Sequence, residues 1–198
     1  MKIAILASHG GTTLQAVIDA SAGPNPELEP CLVISNNSGS GAAGRAARHA
    51  IAFRHMSGKT HTDPDELDVA IAEALTQSGA EVIFLAGYMK KLGPVVLQRF
   101  AGRILNTHPS LLPKFGGQGM YGDRVHAAVL DSGETRSGVS VHLVDAEYDT
   151  GPVLAQAEVE VRPDDTVETL SERVRARERA LVVETLSRVA TGRIRLSS

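Results

Sequence analysis

Five short apolar runs constrain this chain more than any other feature. They lie at residues 2–7, 31–35, 51–54, 81–86 and 104–106, and helical stretches separate them. Such short continuous runs read as parallel strands buried on both faces. Leu14, Ala16, Val17 and Ala20 recur at helical spacing after the first run. The stretches 42–50, 65–77 and 94–100 read as further helices, with Leu67, Ala70, Ile71 and Leu75 turned inward in the longest. The alternation predicts an α/β fold built on a doubly wound, mostly parallel sheet. With 198 residues there is room for one sizeable core, hence a single domain over 1–198. Polar tips follow residues 7, 35, 86 and 105, at the carboxyl ends of strands, where open sheets of this kind bind ligands.

Beyond Pro113 the pattern changes. Lys114 to Asp123 carries four glycines, at 116, 117, 119 and 122, and reads as a mobile loop or lid. A helix is predicted over 124–130. Residues 138–144 and 153–161 alternate, predicting an antiparallel extension near the C-terminus. Between them Asp145 to Pro152 forms a turn dense in carboxylates. Asp164-Asp165-Thr166 caps a long helix to about Ala190, whose outward side is expected to carry Arg173, Arg175, Arg177, Glu178 and Arg179. Residues 21–30 form a Gly/Pro loop, and 55–63 is polar and expected to be exposed.

Composition excludes several function classes. The net charge is −3, no basic run suggests a nucleic-acid groove, and there is no Trp for base stacking. Cys31 is the only cysteine, so no intrachain disulfide forms and a thiolate cluster is not expected; it reads as a buried small hydrophobe. The seven histidines form no helical His-x-x-x-His pair, so no metal site is expected. The run after Met1-Lys2 is too short for a signal peptide or membrane span, which predicts a cytoplasmic soluble protein with no membrane partner, as monomer or homodimer.

Chemistry concentrates at Asn106-Thr107-His108-Pro109-Ser110-Leu111-Leu112-Pro113. Two prolines forbid a helix there, and period-two alternation puts Asn106 and His108 on one face of a strand tip. Asn donates to a developing oxyanion and His moves a proton near neutral pH; a strand end with one satisfied His is the alternative. The turn Ser8-His9-Gly10-Gly11-Thr12-Thr13 either binds a phosphate at a helix start or is a tight turn capped by Thr12 or Thr13. Asn36 to Gly41 is a surface loop or a second ligand-facing one. His9 is a ligand contact or a turn residue. His126 is expected to face solvent, with a substrate contact as the alternative. His142 supports the active-site strand or is a satisfied core histidine.

Several segments match one family in order. They are Gly10-Gly11 with Leu14-Gln15-Ala16, Leu85-Ala86-Gly87-Tyr88-Met89, the Asn106 to Pro113 segment, Ser140-Val141-His142 and Asp149-Thr150-Gly151-Pro152. On these the chain resembles the glycinamide ribonucleotide formyltransferase family of purine biosynthesis. The resemblance implies a formyl donor, 10-formyltetrahydrofolate, no metal, and small-molecule partners, namely an amine-bearing ribonucleotide and the folate. It implies catalytic roles for Asn106, His108 and Asp149, with His142 supporting. Folate would lie against Tyr88, Met89, Lys90, Leu92 and Val144. The substrate phosphate would lie on Gly11, Thr12 and Thr13 with Arg175 helping, and Glu178 would face the ribose. Residues 1–100 would form the nucleotide-binding half and 101–198 the catalytic and folate-binding half.

Three departures from the family pattern bear on the acceptor. The first loop lacks the usual Gly-x-Gly-Ser-Asn, Lys114 to Val125 is longer than in short members, and Pro64 stands where some have Arg. The alternatives are a formyltransferase for another amine, such as an amino sugar nucleotide or a specialised metabolite, and a formyltetrahydrofolate hydrolase. Transfer-RNA formyl transfer is disfavoured because the extra carboxyl-terminal domain and basic surface are absent.

Overall fold

The computed structural model describes residues 1–23 and 26–196. Seven strands form one sheet in the order β3-β2-β1-β4-β5-β6-β7. The first five, β1 (Lys2–Leu6), β2 (Glu29–Ser35), β3 (Ala52–His55), β4 (Val82–Leu85) and β5 (Ile104–His108), pair in parallel. β6 (Arg136–Leu143) runs antiparallel to β5, and β7 (Val153–Glu160) antiparallel to β6. This is the doubly wound, mostly parallel sheet with an antiparallel extension that the apolar runs predict.

Helices cover both faces because both faces of the strands are apolar. α1 (Thr12–Ser21) and α6 (Val167–Ala190) pack with Ile3, Ile5, Phe84, Leu105 and Val141 on one side. α3 (Pro64–Gln77) and α4 (Pro94–Arg99) pack with Ala4, Leu6, Ile83 and Ile104 on the other. α2 (Gly41–Arg48) and α5 (Asp123–Asp131) complete the chain. Odd and even positions of one strand therefore face different helices, and this divides the roles of Asn106, Thr107 and His108.

Local details correct the sequence reading. Gly11, at φ 68°, takes the cap position of α1 with no side-chain cap bond, so neither Thr12 nor Thr13 caps it. A left-handed residue closes that turn, and glycine adopts it without a Cβ penalty. α2 stops at Arg48 rather than Ala50, whose φ is 54°. The loop expected over 21–30 is shorter, because α1 runs through Ser21 and β2 begins at Glu29; residues 24 and 25 lie outside the described residues. Within the stretch expected to be exposed, Met56 and Ser57 are buried, Met56 as part of the α3/α4 core. Cys31 is half-buried rather than fully enclosed. Among the described residues no helix is long and apolar enough to cross a membrane.

Candidate active site

Strand order reverses between β1 and β4, and the tips at that switch are tied together. Ser8 Oγ accepts from Met89 N at 2.8 Å and donates to Asn36 Oδ1 at 2.6 Å. One buried hydroxyl thus joins the loops after β1, β2 and β4. Sequence reading did not single out Ser8, because a lone serine at a strand tip carries no periodic signal. Open sheets of this class bind ligands at this reversal.

The next tip, on β5, carries the candidate catalytic groups. Asn106 and His108 share the sheet face on which β6 presents Ser140 and His142, with Asn106 opposite His142. Asn106 Nδ2 lies 3.2 Å from His142 Nε2. His142 Nδ1 lies 2.8 Å from the Leu143 carbonyl, which only accepts, so the proton sits on Nδ1 and Nε2 is free to accept from the amide. His142 thereby fixes which way Asn106 faces.

Asp149 completes the group from the turn after β6. Its Oδ2 lies 3.3 Å from His108 Nδ1 and its Oδ1 3.5 Å from His142 Nε2. Gly117 N donates to Oδ2 at 3.0 Å, which ties the glycine-rich loop to the same carboxylate. His108 Nε2 donates to the Phe115 carbonyl at 2.6 Å. The carbonyl cannot donate, so Nε2 keeps its proton and Nδ1 is the position where a proton is gained or lost.

Burial lowers the His108 pKa below the ordinary histidine value, against Asp149 and the Phe115 carbonyl, which raise it. The pull of the Asp149 carboxylate is upward, and burial exceeds it. Burial pushes the Asp149 carboxyl up, but the neighbouring His142 and His108 rings and the Gly117 amide together hold it below the usual range. The pair is therefore a carboxylate beside a histidine that favours its neutral form.

Thr107 points to the opposite face. Its hydroxyl donates to Glu178 Oε1 at 2.8 Å, and Thr13 donates to the same oxygen at 3.4 Å. Glu178 is thus half-buried against β5 and α1 rather than on the outward side of α6. Burial raises its pKa, against these two hydrogen bonds. Arg175 is exposed, 3.2 Å from Asp123. The structure brings Thr13 and Glu178 together; Gly11 and Thr12 stand beside Thr13 at the helix start, where the first amides of α1 have no partner within the helix. Arg45 donates from Nε to the Gly10 carbonyl at 2.9 Å and from Nη1 to Gln15 at 2.7 Å.

The folate candidates divide. Tyr88, Lys90 and Leu92 line a cleft of about 790 Å³. Met89 is exposed beside them, and Val144 packs with Tyr88 on the α3/α4 core. Burial pushes the Tyr88 phenol up to about 12, so it stays protonated. The cleft is also lined by Asn36 and Ser38, and by His55, Met56 and Lys59 from the stretch expected to be exposed. The loop from Asn36 is therefore a cleft-facing one. His126 overturns its expectation: it is 1% exposed on the inner side of α5. His9 is exposed at the turn.

An amide, two histidines and a carboxylate in contact at the carboxyl edge of a doubly wound sheet have the make-up of an α/β enzyme site. Residues 1–186 match the family model described as formyl transferase. The phosphoribosylglycinamide formyltransferase of Haemophilus influenzae is 37% identical over 195 residues, 98% of this chain and 90% of that protein. The chloroplastic enzyme of the same name from Arabidopsis thaliana is 36% identical, covering 98% of this chain and 67% of that one. The human trifunctional purine biosynthetic protein adenosine-3 is also 36% identical, but this chain spans only 19% of its length. Among solved structures, glycinamide ribonucleotide transformylase 1 of Symbiobacterium toebii aligns with a TM-score of 0.90 at 35% identity, over 100% of this chain and 91% of that one. The chain belongs to the formyl transferase family.

Proposed function

We propose that the chain transfers the formyl group of 10-formyltetrahydrofolate to the amine of glycinamide ribonucleotide, a step of de novo purine biosynthesis. The observation that carries this reading is the contact circuit Asn106, His142, Asp149, His108 at the carboxyl edge of β5. The names of the relatives supply the formyl group and the acceptor, the family resemblance supplies the folate donor, and the site chemistry suits both.

The cleft beside Tyr88, Lys90 and Leu92 fits a flat heterocycle with an acidic tail. Its floor includes Met56, Leu67 and Ile71, and its lining includes the cations Lys59, Lys90 and Lys91. Met89 and Val144 are assigned to the same ligand from the adjoining loop and core. When bound, 10-formyltetrahydrofolate supplies the formyl carbon as the electrophile. Asn106 has a second N–H beyond the one facing His142, and that N–H stabilises negative charge growing on the formyl oxygen. His108 Nδ1 handles the proton of the attacking amine, and Asp149 holds the ring and stabilises its charged form.

The amides of Gly11, Thr12 and Thr13 are assigned to the phosphate, with Arg175 adding charge and Glu178 accepting from the ribose. The first hundred residues supply this phosphate edge, and the remainder supplies the catalytic group. All the lining residues of the cleft, from Asn36 to Pro94, also lie in the first hundred residues, and Val144 is the one folate assignment beyond them. Every residue in this reading comes from one copy of the chain.

A steady-state assay with both substrates tests the proposal. Formylated product that appears only with glycinamide ribonucleotide supports it. Release of formate without an acceptor would favour the hydrolase, and turnover with a different amine alone would sink the purine assignment.

A further inference from the structure

The inner stripe of α6 carries a carboxylate. Glu178 follows Val174 at helical spacing and precedes Leu181 and Val182 at the same spacing, and those three side chains are at most 4% exposed. A charge on the core side of a helix is costly unless it is hydrogen-bonded.

β5 meets it with a second polar residue out of pattern. Thr107 lies on the α1/α6 face of the sheet, on the same side as Leu105 and opposite Val141, and both of those are buried in the apolar core. Its hydroxyl donates to Glu178 Oε1 at 2.8 Å, and the Thr13 hydroxyl donates to the same oxygen at 3.4 Å. A carboxylate oxygen accepts about two hydrogen bonds, so Oε1 is filled. Among the described residues the hydroxyls leave Oε2 as the oxygen for a further donor. Thr107 stands between Asn106 and His108, and Thr13 stands in the first turn of α1, so Glu178 is held from the catalytic strand and from the phosphate edge together.

We propose that Thr107, assisted by Thr13, is a positioning residue for the acceptor: by holding Oε1 it directs Oε2 of Glu178 at the ribose hydroxyls of the ribonucleotide. The inference rests on the function proposed above, which assigns Glu178 to the ribose. The same bonds also keep Glu178 in its accepting form. Burial raises its pKa, against the two hydroxyls and the charges of Arg175 and Arg179 on its own helix. From α5, Asp123 pairs with Arg175, and His126 lies near both. With Oε1 receiving two hydroxyl protons, an acid proton sits on Oε2, which then no longer accepts in the charge-assisted bond that a carboxylate makes with a hydroxyl.

Thr107→Val keeps the shape and removes the hydroxyl, and Thr107→Ser restores it. In Thr107→Val the KM for glycinamide ribonucleotide is expected to rise about 2- to 12-fold, the value of one net hydrogen bond, with kcat little changed and Thr107→Ser near wild type. KM should climb as pH falls and Glu178 takes up a proton. That climb should begin at a higher pH in Thr107→Val, because losing a bond to the charged form raises the pKa. Carbon-13 NMR titration of the Glu178 carboxyl in the free chain should move in the same direction. Thr13→Val, which keeps its backbone amide and loses the longer bond, should show the same changes at smaller size, and it decides the matter if Thr107→Val impairs folding. A KM and pH profile that stay at wild type, a fall in kcat alone, or a Thr107→Ser that behaves like Thr107→Val overturns the proposal. A wild-type chain that formylates no glycinamide ribonucleotide overturns the proposed function and the ribose assignment with it. The carboxyl titration needs no substrate and tells the two failures apart, since it still moves in Thr107→Val when only the function is wrong.

Discussion

Asp149 adopts a left-handed backbone, φ 59°, and from that turn its Oδ2 reaches to within 3.3 Å of His108 Nδ1. A positive φ is uncommon outside glycine, and Asp and Asn tolerate it better than other residues. The turn therefore restricts which residue stands here, and the carboxylate restricts it further. Asp149→Asn keeps the backbone preference and removes the charge. Turnover is expected to fall by about 10²- to 10⁴-fold, the contribution of a positioned acid–base system, with folate affinity nearly unchanged. Steady-state kinetics with calorimetric folate binding checks this; turnover near wild type would contradict the proton-handling role.

The same pair sets the acid sensitivity of the fold. Both pKa values are depressed in the folded chain, His108 by burial and Asp149 by its partners in spite of burial. A depressed value means that the unfolded chain binds more protons. The stability due to each group is complete above its ordinary pKa and is lost as pH falls through the depressed one. His108 should therefore titrate below about 6.5, and that part of the acid destabilisation should vanish in His108→Gln. NMR titration and denaturant melts from about pH 2 to 8 measure both, a range that spans the ordinary values of the two groups and the acid side of each.

Glu178 works in the opposite sense. Its pKa is raised by burial, so its stabilising share is present below the ordinary carboxylate pKa and is lost as pH rises through the folded value. Glu178→Gln keeps an acceptor for Thr107 and Thr13 and removes a desolvated charge. Stability at pH near 7 should hold or rise, the difference from wild type should shrink in acid, and KM for the ribonucleotide should increase with kcat little changed. Thermal melts at two pH values and a kinetic comparison test it.

Much of this arrangement was legible in the chain. The apolar runs gave the strands, and Asn106-Thr107-His108 gave a polar strand tip because alternation is a local property. Glu178 and His126 were misassigned for a shared reason. Helical periodicity on α6 and α5 marks two faces, but only the packing of α6 on β5 and of α5 on α6 decides which one is covered. Likewise, that burial outweighs Asp149 at His108 depends on atoms distant in sequence, including the Phe115 carbonyl. The lining of the cleft by Asn36 and His55 depends on strand order, which neighbouring residues do not encode.

Gly151 offers a test of the frame that carries Asp149. A Cβ at this position would collide with the Leu143 carbonyl oxygen, a rigid backbone atom. Gly151→Ala is expected to destabilise the fold by about 1–3 kcal/mol and to lower turnover through displacement of the neighbouring turn. Gly10, where an added Cβ meets nothing within 4 Å, is the control, and Gly10→Ala should leave stability almost unchanged. Equal stability of the two variants in denaturant would contradict the packing described for the 143–151 turn.

His108, as the proton-handling group of a formyl transfer from folate to glycinamide ribonucleotide, is the residue on which the proposed function turns. Single-turnover formylation by His108→Ala, with folate binding measured on the same sample, tests it most directly. The expected rate is reduced by about 10²- to 10⁴-fold with folate affinity retained. A variant that binds folate and still formylates glycinamide ribonucleotide at the wild-type rate would contradict it.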